Sequence, residues 1–147
     1  CTPRIVDSVT GADGTAEKVD AGESRRVISR EAASEVTRMM EAVTADDGTA
    51  PAAQISGYRV AGKTGTAWRV NPETGRYVPG ENTISFMGFA PADNPRFITY
   101  VVIDKPPRNA GGGSMAGPVF QDIMSMALER FGVAPTGSKP PKVKQDW

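Results

Sequence analysis

Histidine is absent from this 147-residue chain, and cysteine occurs once, as Cys1. The first absence removes every Ser-His-Asp and Cys-His catalytic arrangement. With one cysteine and no histidine, a zinc site built from those ligands is excluded too; no metal and no cofactor is expected. Cys1 has no partner for an internal disulfide and reads as an ordinary residue, which leaves the compartment open. Proton transfer would fall to Lys, Asp, Glu, Tyr or water. Long apolar runs are also missing: none approaches the roughly 18 residues that span a bilayer, and no signal peptide opens the chain. If the intact protein is membrane-anchored, the anchor is expected outside this sequence. Excess charge is the last absence, because 17 basic residues balance 17 acidic ones. No basic field exists to hold nucleic acid or an anionic membrane surface.

What is present is an ordinary globular composition, 39% hydrophobic and 23% charged, at a length suited to one domain. Arg4 to Val9 and Ala16 to Val19 flank the turn signal Gly11-Ala12-Asp13-Gly14 and predict a small hairpin. Ser29 suits a helix N-cap, with Glu31 in the first turn where the helix dipole favours a carboxylate. Val36, Met39, Met40 and Val43 follow at helical spacing, Asp46-Asp47-Gly48 ends the helix, and Thr49 to Ser56 reads as a loop. Three strands are predicted next: Tyr58 to Trp68, Thr83 to Ala90 and Arg96 to Asp104. Asn71-Pro72, Thr74-Gly75 and Pro79-Gly80 predict a long connection between the first two, and Pro91 to Pro95 a tight turn between the others. Such connections make the strands antiparallel neighbours. After a loop over Pro106 to Gly113, Pro118 suits the first turn of a helix that closes at Gly132. Its Val119, Phe120, Ile123, Met124, Ala127, Leu128 and Phe131 form a wide apolar stripe. Met39, Met40, Met124 and Met126 read as core filler. Residues 135–147 read as a mobile Pro/Lys-rich tail after a body over 1–134.

The expected fold is therefore α+β, an antiparallel sheet with the C-terminal helix packed on one face. The first helix and the other sheet face have no obvious mate. The chain thus reads as part of a larger domain and is expected to expose apolar surface.

Gly57-Tyr58-Arg59-Val60-Ala61-Gly62-Lys63-Thr64 matches the phosphate-binding P-loop pattern letter for letter, and Ile98 to Asp104 mimics the companion strand ending in a magnesium-holding Asp. A P-loop needs a helix beginning at the Lys-Thr step, whose free amides hold phosphate. Gly65, Pro72 and Gly75 fall where that helix would run, and Tyr58, Arg59 and Val60 are bulky for a loop wrapped on phosphates. As a strand, the run makes better sense: glycine inside a strand often marks close approach by a ligand or backbone, and a peptide can add along a strand edge. Alternation places Lys63 on one face and Thr64 and Thr66 on the other, so both reach one ligand only if it lies along the edge. On these residues alone, an edge strand with a solvated lysine stands as the simpler alternative.

The wider pattern extends that reading. Lys-Thr-Gly is one of three signatures of penicillin-binding proteins and serine β-lactamases, beside Ser-x-x-Lys and Ser-x-Asn. Ser56-Gly57-Tyr58 with Val60-Ala61-Gly62-Lys63-Thr64-Gly65-Thr66-Ala67 resembles the class B, high-molecular-weight penicillin-binding proteins. So do Gly88-Phe89-Ala90-Pro91-Ala92, Pro95-Arg96-Phe97, Val101-Val102-Ile103-Asp104 and the glycine run before Pro118-Val119-Phe120. The resemblance covers about Pro3 to Pro135 and is nearest to the cell-division branch.

The resemblance implies the C-terminal half of a transpeptidase domain, anchored outside the cytoplasm by an N-terminal helix beyond this chain. It implies acyl transfer from the D-Ala-D-Ala end of peptidoglycan stem peptides, with β-lactams as substrate mimics and cell-division proteins as further partners. Lys63 would act as positive charge and proton-relay member, with Thr64 and Thr66 hydroxyls on the substrate carboxylate. The Thr66 N–H would serve the oxyanion hole, Gly65 would keep the edge clear, and Ala67 and Trp68 would flank the ligand. Septal relatives place aromatic residues before the last paired glycines; here Ala110 and Gly111 stand there, and Trp68 or Tyr77 could supply the aromatic surface instead. For Trp68, a half-buried strand residue is an equal alternative. Other open readings are a non-catalytic sensor of peptidoglycan or penicillin, and a carboxypeptidase or β-lactamase using water as acceptor.

Neither Ser-x-x-Lys nor Ser-x-Asn occurs in the chain. The nucleophile is expected in an N-terminal remainder of the same protein. Intact-mass analysis of this chain alone, after incubation with benzylpenicillin, should show no adduct; a stoichiometric gain of one β-lactam mass would overturn the assignment of the nucleophile elsewhere.

Overall fold

The computed structural model describes residues 5–20, 22–23 and 25–137, so Cys1 and the last ten tail residues lie outside the described part. The chain divides into two compact units, Cys1–Ala33 and Ser34–Trp147. In the first, strands β1 (Ser8–Thr10) and β2 (Ala16–Lys18) pair antiparallel, with Val9 opposite Glu17. Asp13 shapes their turn by accepting from the Thr15 amide at 3.0 Å and its hydroxyl at 2.9 Å. Those two bonds hold the Asp13 carboxyl below the usual carboxylate range. Helix α1 spans Arg30–Thr44. Ser29 caps it as expected, its Oγ accepting from the Ala32 N–H at 3.0 Å.

In the second unit, β3 (Ala61–Val70), β4 (Tyr77–Ala90) and β5 (Phe97–Asp104) form one antiparallel sheet in the order β3-β4-β5. Helix α2 (Gly117–Arg130) covers one face, so the expected α+β architecture is observed. Alternation decides what lies beneath it. Phe86, opposite Thr64 on one side and Val101 on the other, turns toward α2. Its ring meets Phe120 edge-on at 4.8 Å, and Met124 and Leu128 continue the stripe at four-residue spacing, all fully buried. Each such side chain contributes about 1.5–3 kcal/mol on leaving water. Gly88 is required here because a Cβ would stand 2.9 Å from the Phe120 ring. Gly132, at φ +61°, ends the helix as expected.

The opposite face carries Met87, Ile98, Tyr100 and Val102, which are 44–71% exposed. The expected uncovered face is therefore present. Val36 and Met39 of α1 are likewise exposed, and Met39 and Met126 are not core filler. The α1 face that the second unit does bury carries Glu41 and Thr44.

The β3–β4 connection is shorter than its turn signals suggested. Asn71 closes it: its amide donates to the Arg76 carbonyl at 2.8 Å, and its Oδ1 accepts from the amides of Glu73 and Thr74. β4 starts at Tyr77, which absorbs Pro79-Gly80 into the strand. A register shift between Trp68 and Val70, with Gly80 at φ +79°, accommodates a proline that lacks a ladder donor. A charge cluster ties the same end: Arg69 bonds Glu81 at 2.7 Å and Asp104 at 2.9 Å, and Lys105 bonds Glu81 at 3.2 Å. The loop predicted over Thr49 to Ser56 contains a 3-10 turn, Pro51–Ala53. Past α2, Gly137 N–H donates to the Gly57 carbonyl at 3.0 Å and Thr136 Oγ1 to Asp93 at 3.0 Å. The tail expected from residue 135 thus has two engaged residues, Thr136 and Gly137, near its start.

Candidate active site

Lys63, Thr64, Gly65, Thr66, Ala67 and Trp68 are consecutive residues of β3, an outer strand of the sheet. Lys63 stands opposite Met87 on the uncovered face, and Thr64 opposite Phe86 on the α2 face, the alternation expected. Lys63, Thr66, Ala67 and Trp68 are exposed and Thr64 and Gly65 half-buried. The Lys63 Nζ donates to the Thr64 carbonyl at 2.9 Å and lies 3.5 Å from its hydroxyl. The exposed ammonium therefore folds along the strand toward Thr64. This arrangement has no P-loop in it: the Lys-Thr step lies mid-strand, where no helix terminus offers free amides.

Gly65 has a close neighbour on the adjacent strand, a hydroxyl that could rotate away from a side chain there. A Cβ there would stand 2.5 Å from Ser85 Oγ on β4. A Cβ on Gly112, in the π-helical turn Gly112–Ala116 before α2, would meet the Ser85 carbonyl at 2.1 Å and the Gly65 carbonyl at 3.3 Å. The glycine run thus presses backbone to backbone against the middle of the candidate strand. Ala110 and Gly111, which precede it, carry no aromatic ring. Trp68 and Tyr77 do meet, edge-on with centroids 6.3 Å apart, and with Ala67 they line an open concavity of about 540 Å³. At 57% and 67% exposure they form an accessible aromatic surface beside Thr66.

Glu41 and Thr44 of α1, singled out by no motif, help hold the start of β3. Glu41 of α1 is fully buried, and both its oxygens are bonded by Arg59, Nε at 2.7 Å and an NH2 at 2.9 Å. That bond raises the Arg59 guanidinium above its already high ordinary value. Thr44 Oγ1 donates to the Val60 carbonyl at 2.8 Å, the Ala92 amide to the Arg59 carbonyl at 2.8 Å, and Tyr58 OH to the Val133 carbonyl at 2.5 Å. Four segments therefore converge where β3 begins. Nothing in the sequence distinguishes Glu41 from Glu31 or Glu35, because its partner is eighteen residues away.

The model of the penicillin binding protein transpeptidase domain matches residues 1–125. Among curated proteins, the penicillin-binding protein PbpB of Mycolicibacterium smegmatis is 42% identical over 139 residues, covering 89% of this chain and 22% of its own length. The probable peptidoglycan D,D-transpeptidase PenA of Neisseria flavescens is 44% identical over 117 residues, covering 79% and 29%. Among solved structures, penicillin binding protein 3 of Mycobacterium tuberculosis complexed with ampicillin superposes at TM-score 0.78 and 34% identity, over 98% of this chain and 34% of that one. The chain thus spans less than a third of the length of these curated relatives and about a third of the solved one.

Arg59→Met should cost about 3 kcal/mol in chemical denaturation, because it leaves the Glu41 carboxylate buried and unpaired. The double variant Glu41→Met/Arg59→Met should recover most of that loss. Equal losses in single and double variants would contradict a paired, desolvation-limited interaction.

Proposed function

This chain belongs to the penicillin-binding protein transpeptidase family, and on that premise we propose that it supplies the substrate-binding strand of a serine D,D-transpeptidase that cross-links peptidoglycan. In the proposed reaction, a serine outside this chain attacks the carbonyl between the two D-alanines of a stem peptide and expels the terminal D-alanine. An amine of a second strand then takes the acyl group. The site of action is the extracytoplasmic face of the membrane; no helix among the described residues is long and apolar enough to cross it. A septal role rests on the sequence resemblance.

The observation that carries this reading is the exposed edge strand with Lys63 Nζ folded onto the Thr64 carbonyl. The Lys63 ammonium lies beside the Thr64 hydroxyl, with Thr66 two residues on along the strand, a combination suited to a substrate carboxylate. In an antiparallel ladder, successive residues turn their main-chain groups to opposite edges. Thr66, two residues on, therefore offers its N–H on the side of the Thr64 carbonyl that Lys63 occupies. A donor on the open edge is what a developing oxyanion requires. The ligand's carboxylate would lie near Thr64 and its acyl portion would run on past Ala67 toward Trp68. β-Lactams would enter the same way and stay as acyl-enzymes; the similar M. tuberculosis protein is known in complex with ampicillin.

The test is the acylation rate of a protein joining this chain to a nucleophile-bearing N-terminal segment. Lys63→Ala should lower acylation by fluorescent penicillin by about 100-fold or more. Thr66→Val, which deletes one charge-assisted hydrogen bond but keeps the N–H, should lower it roughly 10- to 150-fold. Wild-type rates in both variants would remove β3 from the site.

A further inference from the structure

We infer that Glu41 and Arg59 are positioning residues for the proposed site, and that their ion pair, buried at its Glu41 end, sets where Lys63 and Thr66 stand. The inference rests on the reading of β3 as the substrate strand. Glu41 has none of its surface exposed, and each of its oxygens accepts a bond from one arm of the Arg59 guanidinium. Glu41 is fully buried and the Arg59 side chain 26% exposed, so the pair contributes little stability beyond well-packed apolar side chains: desolvation, chiefly of the carboxylate, offsets the attraction. Its distinctive property is directional. A carboxylate and a guanidinium held fork to fork have one favoured arrangement, whereas apolar side chains can slide past one another.

The place of the pair gives that property a consequence. Arg59 lies two residues before the first residue of β3 and four before Lys63. The bonds from Thr44 to the Val60 carbonyl and from Ala92 to the Arg59 carbonyl hold the same point, but each is a single bond to a main-chain oxygen and leaves freedom to rotate. The fork removes it. From there the strand runs on without a break in its pairing with β4 until Trp68, so a displacement at Arg59 is carried to Thr66. Groups that stabilise a developing charge must be placed within about 0.5 Å, and a misplacement of about 1 Å can lower a rate by roughly 100-fold. Glu41 and Arg59 touch no reacting atom; they act through the strand.

The test uses the same joined protein and separates the pre-covalent affinity for fluorescent penicillin from the first-order acylation constant by stopped flow. Glu41→Met/Arg59→Met removes both charges at similar volume, and Arg59→Lys keeps the charge but replaces the fork by a single point. The double variant should keep a thermal midpoint within a few degrees of wild type while its acylation constant falls at least about tenfold, with affinity changed less. Arg59→Lys should fall between the two. Lys63→Ala serves as the control on the site itself. A wild-type acylation constant in the folded double variant, with Lys63→Ala impaired, would reduce the pair to a structural role and overturn the inference. A wild-type constant in Lys63→Ala would overturn the reading of β3 and this inference with it. If the double variant fails to fold, a wild-type constant in Arg59→Lys is by itself the contradicting result.

Discussion

The ion pair between the buried Glu41 and the half-buried Arg59 is the constraint on which the second unit's arrangement turns. It joins α1 to the residues that open β3, and every candidate site residue lies on that strand. Removing the Arg59 charge would leave the Glu41 carboxylate buried without a partner, which proteins do not tolerate cheaply. The remaining ties at this point, Thr44 on Val60, Ala92 on Arg59 and Val133 on Tyr58, bring in the helix end, the β4–β5 turn and the segment after α2. The strand is thus held at its start by much of the fold and left open along its outer edge.

A second constraint acts from beneath. Gly88 admits the Phe120 ring, and Gly112 lets the turn before α2 rest on the Ser85 and Gly65 carbonyls. Helix, turn and sheet therefore pack at main-chain distance around the middle of β3. Apolar burial under α2 supplies the stabilisation, and the missing side chains decide how near the layers come. The opposite face, with Ile98, Tyr100 and Val102 open, has no such cover among the described residues. That agrees with a chain spanning 22% of one curated relative and 29% of another.

Local features were legible from sequence alone. The Ser29 cap, the Gly132 stop, the three main strands and the antiparallel order follow from short-range rules of capping, alternation and turn chemistry. Features decided at long range were not. Pro79-Gly80 carries the composition of a turn, yet pairing with β3 draws it into a bulged strand. A close neighbour of Gly65 was also invisible: an added Cβ would stand 2.5 Å from the Ser85 hydroxyl, which lies on β4. Met39 and Met126 match a core pattern by type but stand at the surface, because only one stripe of each helix is covered. Glu41 was invisible for the reason that makes it informative: its partner lies on another element. The candidate run was readable as a strand because its residues are consecutive on β3.

The central claim is that β3 receives the ligand along its outer edge. A crystal structure of the β-lactam acyl-enzyme, formed by this chain joined to a nucleophile-bearing segment, tests it most directly. The account predicts the acyl carbonyl oxygen about 2.7–3.1 Å from the Thr66 N–H, with the ligand carboxylate on the Thr64 and Thr66 hydroxyls near Lys63. A ligand whose carboxylate and carbonyl both find partners away from β3 would contradict it.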